Sequence, residues 1–276
     1  MIKMKEYNVN KAVEIAEGVY WIGKYSDANG LHANPYVIVE GDEAIVIDGG
    51  SRPEFSEIML KVLEIGVKPQ NIVGLIYHHY DPDLCGSIPH FEEMINNDSL
   101  RIISQRHNNV FIEHYGTSSQ KLCINNIGNE WVFKTGRKLR FINTPYSHSP
   151  GSFVTYDEKT KTLFSSDIFG SYSKHWELYL SIGNECEECK TTLCPFNKEC
   201  FMSDIERFHR LIMTSKKALD YAVNEIKKYD IEMVAPQHGS IIKDKKNVEL
   251  LIDKVILQEE IGIDADINKI IWGSNE

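Results

Sequence analysis

The chain has 276 residues, 42% of them apolar and 25% charged, a balance that supplies a sizeable core for a soluble globular fold. Its formal charge of −10 speaks against nucleic acid or an anionic membrane surface as a partner. No apolar run approaches the roughly 20 residues that cross a bilayer, and no apolar stretch follows the charged start at Met1 to Glu6. A cytoplasmic, reducing location is therefore expected, with the six cysteines as thiols or metal ligands rather than disulfides.

Residues 19–23 read as a first strand, and 36–39 with 44–47 as a hairpin turning at Gly41-Asp42. Ser51-Arg52-Pro53-Glu54 is a capping box with proline in the first turn, a helix start. Phe55, Ile58, Met59, Val62 and Leu63 follow at helical spacing until Gly66 and Pro69 stop the run. The β-branched run 72–77 is expected to be a buried central strand. A short helix over 88–96, a strand over 101–104 and a helix over 108–115 come next. Residues 131–133 and 139–142 read as strands around a turn at Gly136, and 153–156 with 162–166 as a further hairpin ending at Asp167. From 171 to 201 no pattern continues, and connections this long usually carry function. Ser203-Asp204-Ile205-Glu206 is a second capping box. It predicts one long helix to about Lys228, with Ile205, Phe208, Ile212, Leu219, Ala222 and Ile226 inward. Residues 231–235 read as a strand and 246–260 as a last amphipathic helix. With no internal repeat and no Pro/Gly/Ser linker, 1–276 is expected to be a single domain. The segment 171–202 is expected to lie over it as a cysteine-rich lid.

Chemistry concentrates in turns that directly follow apolar strands. After 72–77 come His79, Asp81 and Asp83. Two like-charged carboxylates set this close to an imidazole are commonly held together by a cation, although a solvated Asp-Pro-Asp turn has the same pattern. His148 lies in the polar loop 144–151, Asp167 closes the later hairpin, and His238 sits in Pro236-Gln237-His238-Gly239. Donors from several strand ends can converge on one edge of a rigid sheet frame. Six donors exceed the four of a tetrahedral zinc and suit two metals that share a carboxylate. Three carboxylates with three imidazoles tilt the metal towards iron or manganese, with zinc still open.

These residues carry a resemblance. His79-x-Asp81-x-Asp83, His148, Asp167 and His238-Gly239 are similar to the metal pattern of the metallo-β-lactamase superfamily. Tyr77 to Pro89, Thr144-Pro145 to Pro150 and Phe164 to Gly170 most resemble the flavodiiron proteins, over about residues 18 to 245. The resemblance implies an αββα metallo-β-lactamase-like sandwich of the α/β (α+β) class, with a non-haem diiron centre that reacts with dioxygen or nitric oxide. It implies His79, Asp81 and His148 on one iron, Asp83 and His238 on the other, and Asp167 bridging. Asp81 stands where the family has a longer glutamate, which makes His78 a candidate substitute ligand. Leu84 stands where many hydrolases of the superfamily have a ligand histidine, which counts against a dizinc hydrolase. No flavodoxin-like part follows within 1–276, so the chain also resembles the stand-alone oxygen-binding diiron proteins, whose role is sensing. Turnover would then need an external electron donor, and sensing a signalling partner.

Cys186-x2-Cys189-x4-Cys194-x5-Cys200 places four thiolates within 15 residues, which can form a zinc site or hold an iron–sulfur cluster; free thiols are the bland alternative. His175, Trp176 and Tyr80 are candidates to line the ligand pocket, and Asp48 to orient a ligand histidine. His32, His90, His107, His114 and His209 are expected on surfaces or helix faces, and Cys85 and Cys123 as small buried hydrophobes. The expected function is diiron binding and reduction of dioxygen or nitric oxide, as an oxygen sensor or as an oxidoreductase fed from outside. The alternative is a metal-dependent hydrolase of an ester, thioester or phosphodiester. A homodimer is left open beside a monomer.

Overall fold

The computed structural model describes residues 7–25, 32–172, 176–180, 182, 186 and 200–265. A meander opens the chain: β1 (Val13–Ala16), β2 (Val19–Trp21), β3 (Tyr36–Glu40) and β4 (Glu43–Ile47) pair antiparallel in succession. Then β5 (Ile72–Ile76), β6 (Arg101–Ser104) and β7 (Gln120–Cys123) add in parallel and complete a seven-stranded sheet in chain order. Parallel neighbours need a crossover to bring the chain back. Here α1 (Phe55–Glu64), α2 (Pro82–Cys85) with α3 (Ile88–Ile95), and α4 (Arg106–Ile112) provide the three crossovers.

The second sheet has the order β13-β12-β11-β10-β9-β8. Its strands are β8 (Glu130–Val132), β9 (Lys138–Asn143), β10 (Phe153–Asp157), β11 (Thr162–Phe164), β12 (Met233–Ala235) and β13 (Ile242–Lys243). Only β11 and β12 pair in parallel within it; α5 (Phe201–Ile212) and α6 (Lys216–Ile226) lie between them in sequence, and α7 (Lys245–Ile256) follows β13.

Alternation of side chains assigns the layers. From β4, Ile45 and Ile47 join Trp21, Tyr36 and Ile38 against Phe141, Phe153 and Phe164 of the facing sheet. Ala44 and Val46 point the other way and pack with Ile58, Met59 and Val62 of α1 and Phe91 and Ile95 of α3. The outer face of the second sheet, with Val154, Leu163 and Val234, is covered by Ile205 of α5, Leu219 and Val223 of α6, and Leu251 and Val255 of α7. Each such aliphatic side chain contributes about 1.5–3 kcal/mol on full burial. The outcome is the αββα order expected from the sequence.

Local details differ from the pattern reading. The long helix over 203–228 is two helices, because Ser215 adopts an extended conformation and caps α6 by accepting from the backbone N–H of Ala218 at 3.2 Å. The second capping box is not used: α5 is capped at Cys200, and Ser203 lies in its first turn. Strands β1, β7 and β13 were missed, the last only two residues long and so too short for alternation to register.

Candidate metal centre

Strands β9 and β11 both run antiparallel to β10, and β11 runs parallel to β12. All three therefore end at one edge of the second sheet, where the turn after β5 of the facing sheet meets them. At this edge His79 follows β5, His148 follows β9, Asp167 follows β11 and His238 follows β12. Close approach holds the last turn: Gly239 has φ +85°, and a Cβ there would lie 2.1 Å from the hydroxyl of Ser171. Asn34 clamps the same turn from the first sheet. Its side-chain amide donates to the carbonyls of Pro236 at 3.0 Å and Gly239 at 2.7 Å.

The six predicted donors come together. Asp167, 3% exposed, is the hub: Oδ2 lies 3.5 Å from Nε2 of His79 and 3.8 Å from Nδ1 of His148, and Oδ1 lies 3.6 Å from Nε2 of His238. Asp81 sits on the His79 side, with Oδ2 2.9 Å from Nε2 of His148 and Oδ1 3.7 Å from Nδ1 of His79. Asp83 sits on the other side, 3.3 Å from Nε2 of His238. Two donors bound to one metal at about 2.1 Å stand about 3.0 Å apart across an octahedral edge and about 3.4 Å apart across a tetrahedral one. The observed spacings bracket these values. Among the described residues, His79, Asp81 and His148 form a group in which each can offer one ligand atom within 4.8 Å of the others.

The surroundings prepare the imidazoles for a metal. Nδ1–H of His148 donates to the carbonyl of Ile212 at 3.2 Å, and Nδ1–H of His238 to the carbonyl of His32 at 3.1 Å. Each bond fixes the ring and turns Nε2 to the carboxylates, where a metal would take the place of its proton. Two buried polar atoms of the site, Nδ1 of His79 and Oδ1 of Asp167, have no hydrogen-bond partner. Orphaned buried groups are costly, and a cation beside Oδ1 of Asp167, on its His238 side, removes the cost of that oxygen. The residues present thus fit a metal pair.

Burial alone would keep these imidazoles neutral, yet Asp167 and Asp81 hold His79 well above its ordinary range. His148 is raised chiefly by Asp81, and His238 chiefly by Asp83, both against the same burial effect. Burial also opposes charge on Asp81 and Asp167, and the imidazoles nonetheless hold both carboxyls far below the usual carboxylate range. In the metal-free protein the imidazole contribution to stability is complete below the ordinary histidine range and is lost as pH rises through the raised values. The carboxylate contribution is complete above the ordinary carboxylate range and is lost as pH falls through the lowered values. A metal must displace the imidazole protons. Uptake of Mn(II) at pH 7 is therefore expected to release roughly one proton or more per metal, and affinity to tighten between pH 6 and 8. A pH-indicator titration in weak buffer checks this, and proton-silent uptake would contradict it.

A family model described as ODP family beta lactamase matches residues 31–239. The chain belongs to this family. Among solved structures it is similar to the flavodiiron protein from Giardia intestinalis, with a TM-score of 0.71 and 20% identity over 91% of this chain and 59% of that one. It is also similar to the peroxy diiron species of the chemotaxis sensor ODP, with a TM-score of 0.70 and 20% identity over 92% of this chain and 97% of that one. A nitric oxide reductase of Moorella thermoacetica is 24% identical over 250 residues, 84% of this chain and 58% of its own. The chain thus spans about three-fifths of the flavodiiron and nitric oxide reductase chains. No helix among the described residues is long and apolar enough to cross a membrane.

Within this ODP-family frame several expectations need correction. His78 is no substitute ligand. Its Nδ1 meets Asp48 at 2.6 Å and its Nε2 meets Thr155 at 2.9 Å, and the ring lies 5.0 Å from that of Phe153. Successive side chains at a strand end point to opposite faces, so His78 turns between the sheets as His79 turns to the metal edge. Asp48 accordingly orients His78, taking its backbone N–H as well at 3.1 Å, and not a ligand histidine. Leu84 is fully buried in the helix-covered core with Tyr77 and Cys85. His32 is buried rather than on a surface, and His209 lies on a helix face as expected, the buried face of α5. His32 stacks on Trp176, whose indole N–H donates to the carbonyl of Gly239 at 2.9 Å and so buttresses the His238 turn. Tyr80 stacks on Phe111 with ring centroids 4.4 Å apart.

His209 accepts the backbone N–H of Phe169 at 3.1 Å through Nε2 and meets Gln258 at 2.7 Å through Nδ1; burial brings it down to about 4, so it stays neutral. It thereby holds the turn after Asp167, in which Phe169 has φ 67°. Asn108 ties two ligand loops together, donating to the carbonyls of His78 at 3.1 Å and Gly151 at 2.8 Å. Gln237 bonds both His79 and Asp83. Sequence reasoning gave His209 only a surface or helix-face place and passed over Asn108 and Gln237, for which only the place of Gln237 beside His238 offered a signal. Of the cysteines, Cys85 is buried while Cys123, Cys186 and Cys200 are half-buried; Cys189, Cys194 and His175 lie outside the described residues.

Proposed function

We propose that the chain is a non-haem diiron protein that takes up dioxygen or nitric oxide at its metal pair, with an external donor or a signalling partner reading or resetting the metals. The observation that carries this reading is Asp167, a buried carboxylate faced by three imidazoles on two sides. In this reading His79, Asp81 and His148 hold one iron, Asp83 and His238 the other, and Asp167 both. A ferrous pair supplies two electrons to a diatomic ligand. The chain's own part is to hold the imidazoles as Nε2 donors through the carbonyls of Ile212 and His32, and to leave one side open. The side chains of Asp81, Asp83 and His148 are 34%, 32% and 22% exposed, whereas His79 and Asp167 are buried, so a small ligand reaches the pair from the aspartate side. The name of the sensor and the name of the reductase among the similar proteins support the same ligand class. Cys186, Cys189, Cys194 and Cys200 are read as a zinc or iron–sulfur site next to this centre.

The test is iron and acid-labile sulfide content of anaerobically purified protein, with optical spectra before and after oxygen and after nitric oxide. About two irons per chain without sulfide, with new absorption on either gas, is the expected result and leaves the cysteines as a zinc or thiol site. Additional iron with matching sulfide would place a cluster at the cysteines. Zinc alone, with no response to either gas, would overturn the reading in favour of a hydrolase.

A further inference from the structure

The side chain of Gln237 joins one donor assigned to each metal, His79 and Asp83. Its Oε1 is 2.7 Å from Nε2 of His79, and its Nε2 is 3.1 Å from Oδ2 of Asp83. The residue is 2% exposed. A buried amide is tolerated when both of its ends are bonded, and in the metal-free arrangement two metal donors do the bonding. Metal binding through Nε2 of His79 and Oδ2 of Asp83 would withdraw both partners and leave the amide buried without them. It recovers a partner by coordinating. On the Asp83 side the described donors are Asp83, His238 and one oxygen of Asp167, and Leu84 is committed to the core, so a metal there is one protein donor short of four. The end of the amide that faces Asp83, at 3.1 Å, is its nitrogen, and an oxygen set in that place would stand close to the roughly 3.0 Å edge between donors of one metal. The two ends of the amide exchange places by rotation about its terminal torsion, and a neutral carbonyl-type oxygen suits ferrous or manganous ions.

We propose that Gln237 is the fourth protein ligand of the second metal, through its side-chain oxygen. The inference rests on the two-metal reading above and deepens it. The test compares the full-length wild type with Gln237→Leu and Gln237→Glu, each stripped of metal and titrated with Mn(II). The readouts are metal per chain after desalting and the electron paramagnetic resonance signal that separates coupled pairs from single ions. Circular dichroism of the metal-free variants confirms that they fold. Wild type is expected to retain two ions as a coupled pair. Gln237→Leu is expected to retain one, with the second site weakened by about 10- to 100-fold or more. Gln237→Glu is expected to retain both, since a carboxylate oxygen replaces the amide oxygen. Unchanged second-site affinity in Gln237→Leu, or loss in Gln237→Glu as complete as in Gln237→Leu, would overturn the assignment. Fewer than two ions on the wild type would overturn the two-metal reading itself, and this inference with it.

Discussion

Replacing Asp167 with asparagine is expected to leave the protein folded and both metal positions empty. The substitution keeps the side-chain shape in a turn that is secured independently. Ser165 Oγ donates to the carbonyl of Ile168 at 2.5 Å, Phe169 N–H to His209 at 3.1 Å, and Gly170 N–H to the carbonyl of residue 167 at 2.9 Å. What disappears is the negative charge between His79, His148 and His238, and the only described carboxylate that faces both halves of the centre. An outer-sphere partner of a ligand is worth about 10- to 100-fold in metal affinity, and a shared ligand is expected to exceed that for each ion. Elemental analysis after desalting reads the loss. The proton release on metal uptake should shrink as well, because His79 owes its raised protonation first to Asp167 among its charged neighbours. A variant that keeps two ions would remove Asp167 from the bridging place.

The second large effect is structural and lies at the opposite end of the strands. Arg137, in the turn between β8 and β9, donates through Nε and Nη2 to the two oxygens of Asp157 at 3.0 and 2.5 Å, and through Nη1 to Glu40 of β3 at 3.1 Å. Arg137 is 5% exposed and Asp157 fully buried, so the guanidinium pins the two sheets where water does not screen it. Arg137→Met is expected to cost about 3–5 kcal/mol, because it leaves Asp157 charged, buried and short of its partner. Combining it with Asp157→Leu should recover only part of the loss: a buried pair replaced as a whole is often close to neutral, but Asp157 also accepts the backbone N–H groups of Lys159 and Thr160 and the Thr160 hydroxyl. Urea unfolding of the metal-free proteins measures both, with metal content of the folded variants unchanged. A loss under about 1 kcal/mol, the scale of an exposed pair, would show that water reaches this end of the sandwich.

Much of the centre was legible because its chemistry is local. His79, Asp81, Asp83, His148, Asp167 and His238 each follow an apolar strand, and a turn after a buried strand is where a polar donor is either functional or wasted. The layer order was legible for the same reason, since alternation in β4 and helical spacing in α1 state which face each side chain must bury. Helix limits were less secure. The box at Ser203 is a good local signal, yet α5 begins at Phe201 and Ser215 caps a separate α6, an arrangement held by the packing of both helices on the second sheet.

The sequence by itself determined that six hard donors stand at strand ends, that the strands are core, and that two metals sharing a carboxylate suit the set. Only the tertiary structure decided which neighbour serves which donor. His78 and His79 are equivalent as residue types, and the facing sheet sends one to Asp48 and Thr155 and the other to the metal edge. The carbonyls of Ile212 and His32 lie 64 and 206 residues from the imidazoles they orient. Gln237 reaches a histidine 158 residues away. Such pairings depend on the register and closure of two sheets around a common core, long-range terms that no local window contains, whereas donor type and strand burial are properties of a few consecutive residues.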